Sequence, residues 1–183
     1  MSAVLDLIGS FIIGGLLLMM VLSVNTNVSQ FSVQNGMELS SIENMAELTQ
    51  EIEFDFRKIG YRAPNPSAAL VRCDSTMIAF LADLDNNGTA DSVVYSLGAP
   101  SQVGGTCNPR DRKLLRQVGA QRINSSLGLT SFRLRYFDAA GNLTSTPSAV
   151  KSIEVSLQVE SPFAVDGAYA VSTWNTRIYP RNL

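Results

Sequence analysis

The chain has 183 residues and a formal charge of −2, but its acidic and basic residues are unevenly distributed along the sequence. The first 56 residues contain seven acidic residues and no Lys or Arg, whereas the remainder has 14 basic and 9 acidic residues. The absence of His excludes His-ligated zinc and the Ser-His-Asp and Cys-His mechanisms, and no pair of carboxylates has a recognisable catalytic context, so we expect no enzymatic activity.

A largely apolar run of 21 residues lies near the start of the chain, from Val4 to Val24, and Asp6 is its one charged residue. At ~1.5 Å per residue such a helix spans about 30 Å, the hydrocarbon thickness of a bilayer. A secretory signal peptide is the alternative, but no basic segment precedes the run, the run is long for a signal peptide, and no small-x-small site closes it. We expect a membrane-spanning or bundle-forming helix.

Asp6 is the unusual residue of this run, because a carboxylate in an apolar segment is costly in lipid unless it is paired. The first 56 residues offer no Lys or Arg side chain as a partner. The expected partner is therefore an α-amino group, either its own or that of a neighbouring copy. In the alternative interpretation, Asp6 reaches the membrane interface from its position near the helix end.

A second helical pattern follows a polar stretch at residues 25–30 and predicts one helix from about residue 3 to Ile59. Gly14 and Gly15 are points where that helix is expected to loosen. Gly60 and Pro64 predict its end, because a glycine cap is followed by a residue that cannot continue a helix. The predicted apolar stripe consists of Leu39, Ile42, Met45, Ala46, Thr49, Ile52, Phe56 and Ile59.

The rest of the chain alternates apolar and polar residues as β-strands do. We expect an α+β fold, in which the second half of the helix packs on one antiparallel sheet of about five to seven strands. The predicted divisions are a hydrophobic helix at 1–27, its amphipathic continuation at 28–60 and a globular β domain at 61–183. The expected strands lie at 76–81, 92–97, 114–118, 131–137, 153–159 and 173–179.

Two cysteines in the β domain suggest a stabilising disulfide. Cys73 and Cys107 would close a loop of about 35 residues if the domain lies in an oxidising space, and such a disulfide contributes ~2–4 kcal/mol. Two unpaired thiols are the alternative.

The segment from Asp83 to Asp91 matches the front of a calcium loop, with oxygen-bearing side chains at positions 1, 3, 5 and 9 and Gly at position 6. It lacks the glutamate at position 12, where Val94 stands. A hairpin turn that uses Asp, Asn and Gly for positive φ explains the same residues without a metal, so we expect no cofactor and keep Ca²⁺ as the alternative. The oxygen ligands in that alternative are Asp83, Asp85, Asn87 and Asp91.

Taken in order, these features resemble the type IV pilin superfamily, especially the minor pilins and pseudopilins of type IV pili and type II secretion. The resemblance covers nearly the whole chain. Besides the apolar helix with an early acid, Asp55-Phe-Arg-Lys-Ile-Gly-Tyr61 is similar to the D-x-R-x-x-G-Y pattern that ends the long helix in some minor pilins. The remaining similarities are the Asp/Asn/Gly hairpin before Val93–Leu97, Asn108-Pro109 leading to Leu115-Arg116, and the closing segment Arg177–Leu183.

The resemblance implies a structural subunit of an extracellular or periplasmic filament, made of identical subunits or mixed with other pilins and anchored in the inner membrane before assembly. In such proteins a glutamate at the fifth position pairs with a neighbour's α-amino group and sets the register of the helix bundle. Asp6 occupies that position once Met1 is removed to leave Ser2 first, with aspartate in place of glutamate. Ser2, Asp6, Gly14 and Gly15 are therefore the candidate assembly residues. The alternative function is a single-pass, membrane-anchored binding module that does not polymerise, whose sheet and Asp83–Asp91 loop hold a ligand or calcium.

Overall fold

The computed structural model describes residues 2–104, 106–125, 128–165 and 167–183. Within these ranges the chain forms one long helix followed by antiparallel strands, which confirms the expected α+β class. A long apolar N-terminal helix that continues into an antiparallel sheet domain is a pilin-like architecture. The chain divides into two compact units, Met1–Met37 and Glu38–Leu183.

The helix α1 extends from Ser2 to Arg57 without interruption. The polar stretch at residues 25–30 stays helical, and Thr26 Oγ1 donates a hydrogen bond to the Leu22 carbonyl 2.9 Å away. This bond satisfies the hydroxyl within the helix itself. At the other end Gly60 adopts a φ of +80°, and its amide donates to the carbonyl of Leu81, so the chain leaves the helix where the glycine predicted it.

The described residues form eight strands in two sheets, whereas the sequence predicted a single sheet. The first sheet has the order β1-β2-β3-β4-β5 and the second the order β6-β7-β8, with every pairing antiparallel. The strand bounds are β1 Leu70–Cys73, β2 Met77–Ala82, β3 Asp91–Leu97, β4 Leu114–Val118, β5 Gln121–Ser125, β6 Leu129–Phe137, β7 Ser152–Glu160 and β8 Val171–Ile178.

The sequence did not predict β1 and β5. The strand β1 has only four residues, and β5 reads Gln-Arg-Ile-Asn-Ser, which has one apolar residue and no alternation to detect. Both are edge strands of the first sheet, each paired with a single neighbour. Their hydrogen bonds come from that neighbour, so their own side chains carry little information about the fold.

One hydrophobic core joins both sheets to the part of α1 that belongs to the second unit. The inward faces predicted for β6 and β7 are confirmed, because Phe132, Leu134, Tyr136 and the four alternate apolar residues of β7 are buried. The predicted helix stripe is partly wrong: Leu39 and Ile42 are more than half exposed, since the buried face of α1 turns away from them. That face consists of Ser41, Met45, Leu48, Ile52, Asp55, Phe56 and, just past the helix, Ile59.

Candidate functional site

The first half of α1 has an exposed apolar surface. Large side chains from Val4 to Val24 are exposed, from 51% at Ile8 to 75% at Phe11. The helix is long and apolar enough to cross a membrane, and no part of its most apolar window is buried. Leaving a Leu, Ile or Phe side chain in water forgoes about 1.5–3 kcal/mol relative to burying it. Lipid or other apolar helices can cover such a surface.

Asp6 lies on this apolar half of α1 and is exposed. None of the ion pairs among the described residues includes it, and the nearest basic side chain along the helix is Arg57. The α-amino group of Met1, the partner expected from the sequence, lies outside the described residues, as does the side chain of Ser2. The pairing of Asp6 therefore stays a prediction.

Gly14 and Gly15 open a shallow notch in the same half of the helix. A side chain added at either glycine would meet no other atom within 4 Å. The notch is lined by Leu7, Ser10, Phe11, Gly14, Gly15 and Leu18. The expected loosening at the two glycines does not occur, because α1 is regular through both. Small residues of this kind let a second helix approach an apolar helix closely.

The second half of α1 is fixed to the first sheet by a buried ionic cluster. Asp55 is fully buried, and its Oδ2 accepts hydrogen bonds from Tyr95 Oη at 2.6 Å and from Arg116 Nε at 2.7 Å. Glu51, one turn earlier, also faces Arg116 Nε at 3.2 Å. The rings of Phe56 and Tyr95 meet edge to face with centroids 5.5 Å apart. The helix therefore has one defined rotation and one defined axial position on the sheet.

Burial raises the pKa of two ionisable groups in this cluster. Desolvation is the largest effect on Tyr95 and, together with the neighbouring Asp55, raises the pKa of its hydroxyl well above the usual value. Burial also raises the pKa of Glu51, while Arg116 opposes that increase. Tyr95 is therefore a neutral hydrogen-bond donor over the physiological pH range, and Arg116 is the cation that compensates the buried Asp55 carboxylate.

Sequence reasoning missed this cluster because its members are far apart in the chain. Tyr95 lies 40 residues and Arg116 61 residues from Asp55. The one available signal was the position of Asp55, three residues after Ile52 and next to Phe56 on the apolar face. An acid at such a position needs a partner.

The Asp83–Asp91 segment is a tight turn organised by Asp83. Asp83 Oδ1 accepts from the Asn87 amide at 3.1 Å, and Oδ2 accepts from the Gly88 amide at 2.9 Å and from Arg62 Nη1 at 3.0 Å. Burial favours the neutral acid, but the Gly88 amide and Arg62 outweigh it and lower the pKa of Asp83. Asn86 and Gly88 both have positive φ, as the turn interpretation requires.

Asp83, Asp85 and Asn87, three of the four residues proposed as calcium ligands, use their side-chain oxygens in hydrogen bonds within the turn. Asp83 directs its oxygens at backbone amides and Arg62, and Asp91 belongs to β3, where it pairs with Ala82. Asp85 and Asn87 bond to each other. Within the described ranges no group of three or more His, Cys, Asp or Glu side chains has the geometry of a metal site. The arrangement favours the turn over calcium.

The structure does not form the predicted disulfide, and both Cys73 and Cys107 are free thiols. Cys73 is the last residue of β1 and lies near Tyr136, which pairs with Ile153 at the start of β7. Cys107 precedes Asn108, which donates to Glu160 at the end of β7, 2.9 Å away. Ile153 and Glu160 are about 23 Å apart along β7 at ~3.3 Å per residue. The two cysteines therefore lie near opposite ends of this strand, whereas a disulfide needs Cα atoms within about 7 Å.

Comparisons with protein-family models and with curated proteins found no match for this chain. The architecture and the residues described above are therefore the basis for any functional conclusion.

Proposed function

We propose that this chain is a structural subunit of a type IV pilus-like or pseudopilus filament and polymerises through its N-terminal helix. The observation that carries the proposal is an exposed apolar helix with a single early acid, continuous with a helix that packs on an antiparallel sheet. Before assembly, lipid of the inner membrane covers the apolar half. In the filament, the same half of neighbouring subunits covers it, and repeating a contact that does not close on itself produces a helical polymer.

Asp6 has a defined role in this proposal. In the dry core of a helix bundle, its carboxylate pairs with the α-amino group of an adjacent subunit and fixes the axial register between the two helices. An unpaired charge in such surroundings is costly, so the helices are expected to adopt the register in which the two charges pair. The notch at Gly14 and Gly15 supports close packing of neighbouring helices at a nearby level. No catalytic step and no cofactor belongs to this function.

The test of the proposal is electron microscopy of material sheared from cells, with mass spectrometry of the N-terminus of its subunits. We expect helical filaments from the wild-type chain and from Asp6→Glu, which keeps the charge. We expect Asp6→Ala to lower the filament yield at least about tenfold while the β domain still folds. Glu38→Ala, at another exposed acid of the same helix, is the matched control and should assemble normally.

The alternative function predicts a different outcome in the same experiment. A membrane-anchored binding module would be found in membrane fractions and never in sheared material. Normal filaments from Asp6→Ala would leave the filament proposal intact but remove the register role assigned to Asp6.

A further inference from the structure

A cavity of about 430 Å³ opens between the end of α1 and the first sheet. This volume is within the range of small-molecule binding sites. Three segments meet there: the end of α1, the Asp83 turn and the turn between β4 and β5. We call it the wedge cavity. Its lining includes Phe54, Asp91, Arg116, Gly119, Ala120 and Gln121.

Strand pairing places Asp91 beside the turn between β4 and β5. Val93 pairs with Val118, and Asp91 lies two residues before Val93, next to Gly119. The Gly119 amide donates to the Ser92 carbonyl at 2.9 Å and holds the turn against β3. Gly119 has a φ of +54°, and a Cβ added there would lie 3.5 Å from Asp91 Oδ1. The backbone of this turn therefore forms a close wall of the wedge cavity.

Arg116 uses only one of its three guanidinium nitrogens in the buried cluster. Its Nε donates to Asp55 at 2.7 Å and to the Tyr95 hydroxyl at 3.0 Å. Its Nη1 and Nη2 groups make none of the hydrogen bonds between described residues, although the side chain is only 15% exposed. Among the described side chains, only Asp55 Oδ1 and Asp111 Oδ1 are both buried and without a partner, so the Nη groups reach solvent. Because Arg116 lines the wedge cavity, we expect these donors to face it.

Asp91 is the acceptor that matches these donors. It takes part in none of the ion pairs and none of the side-chain hydrogen bonds found in the described part of the chain. Asp85, by contrast, directs both carboxylate oxygens at Asn87. Gln121 is exposed, and its amide can both donate and accept. These polar groups surround the ring of Phe54, which is 55% exposed.

This combination of groups fits a neutral ligand with several hydroxyls better than it fits an ion. The charge of Arg116 is compensated by Asp55 and Glu51, so Asp85 and Asp91 leave the wedge cavity negative and disfavour anionic ligands. A primary amine would satisfy Asp91 but leave the Arg116 Nη groups without an acceptor. A hydroxyl both donates and accepts, so two adjacent hydroxyls satisfy Asp91 and Arg116 together.

We propose that the wedge cavity binds a neutral pyranose sugar. Adjacent hydroxyls of the sugar accept from the Arg116 Nη groups and donate to Asp91, and a further hydroxyl bonds to Gln121. The apolar C–H face of the sugar ring packs on Phe54. This binding goes beyond filament formation and does not depend on it, because all four residues belong to the compact unit Glu38–Leu183.

The test is saturation-transfer difference NMR on the full-length chain in a detergent without a sugar headgroup. The probes are methyl α-D-mannopyranoside, methyl β-D-glucopyranoside and methyl β-D-galactopyranoside. We expect saturation transfer to the ring protons of at least one glycoside, and titration of that glycoside gives its Kd. Glycerol has adjacent hydroxyls but no ring face, and methylammonium is a cation without hydroxyls, so we expect no transfer to either.

A steric variant tests whether the wedge cavity is the binding site. Ala120 is an exposed residue of the turn between β4 and β5, so Ala120→Trp fills the cavity with little effect on the core. We expect it to abolish glycoside binding. Ala139→Trp, in the exposed turn after β6, is the matched control and should bind as the wild type does.

Two further variants test the chemistry of binding. Asp91→Asn should raise the Kd at least about tenfold, because a charged acceptor becomes an amide whose NH₂ group faces the Arg116 donors. Phe54→Leu keeps an apolar side chain but removes the ring, and it should also weaken binding about tenfold. Phe163→Leu, at another half-exposed phenylalanine, is its matched control and should leave the Kd unchanged. Thermal unfolding of each variant shows whether the fold is retained.

The outcomes distinguish sugar binding from the alternatives. Absence of saturation transfer to all three glycosides would refute the proposal, as would unchanged binding to a folded Ala120→Trp variant. Methylammonium binding that Ala120→Trp abolishes, without glycoside binding, would assign the cavity to a cationic ligand instead. If Ala120→Trp fails to fold, the Kd values of Asp91→Asn and Phe54→Leu decide, and wild-type values would overturn the proposal. Failure of the wild-type chain to form filaments would leave the sugar site standing.

Discussion

Removing Arg116 should destabilise the protein more than any surface substitution, because it isolates a buried charge. In Arg116→Met the Asp55 carboxylate, which is fully buried, would keep only the Tyr95 hydroxyl as a donor. Breaking a buried ion pair from one side costs about 3–5 kcal/mol. The remaining bond from Tyr95 and the partial exposure of Arg116, whose side chain is 15% accessible, favour the lower end, about 3 kcal/mol.

For a chain of this size, each kcal/mol lowers the melting temperature by about 2–4 °C. Arg116→Met should therefore melt about 6–12 °C below the wild type. The assay is thermal unfolding of the detergent-solubilised full-length chain, followed by the fluorescence of Trp174, its single tryptophan. Arg133→Met, at an exposed arginine without an ion pair, is the control and should change stability by less than about 0.5 kcal/mol.

A second substitution distinguishes the buried charge from simple loss of packing. In Arg116→Met/Asp55→Asn the charge is gone, while the amide oxygen still accepts from Tyr95. We expect the double variant to melt above Arg116→Met, even though it carries one more substitution. Equal or lower stability of the double variant would refute the argument, since the unpaired charge would then not be the source of the loss.

The remaining predictions concern the Asp83 turn and the cysteines. The lowered pKa of Asp83 means that its charge stabilises the fold above the unfolded-state value near 4 and that this contribution is lost as the pH falls through the lower, folded value. Asp83→Asn should therefore lower the melting temperature at pH 7, and the difference should shrink in acid; a constant difference would contradict this. Native, non-reduced protein should contain two free thiols, with exposed Cys107 reacting with a maleimide at least about tenfold faster than Cys73, because burial raises the pKa of the Cys73 thiol to about 11. Intact-mass detection of a disulfide would contradict it.

The parts of the fold that depend on local sequence were predictable. The apolar run, the heptad-like spacing and Gly60 are enough to define α1, and strict alternation defines β6 and β7 with their buried faces. The turn at Asp83 was also predictable, because Asn86 and Gly88 supply positive φ. These signals arise from the backbone and from near neighbours, so a single sequence contains them.

The parts that depend on distant contacts were not predictable. The division into two sheets depends on which strands pair, and β5 and β6 belong to different sheets. The sequences of these two strands do not indicate which strands they pair with. The expected disulfide failed for a similar reason, since two cysteines in one domain say nothing about the distance between them. The burial of Asp55 was not predictable because its partners, Tyr95 and Arg116, come from strands far along the chain.

The buried cluster explains why the second half of α1 has a fixed orientation on the first sheet. Apolar contacts alone would tolerate small rotations of a helix on a sheet, whereas one residue of slip turns α1 by about 100° and would move Asp55 away from Arg116. A charge that costs energy to bury thus selects one register of the helix on the sheet.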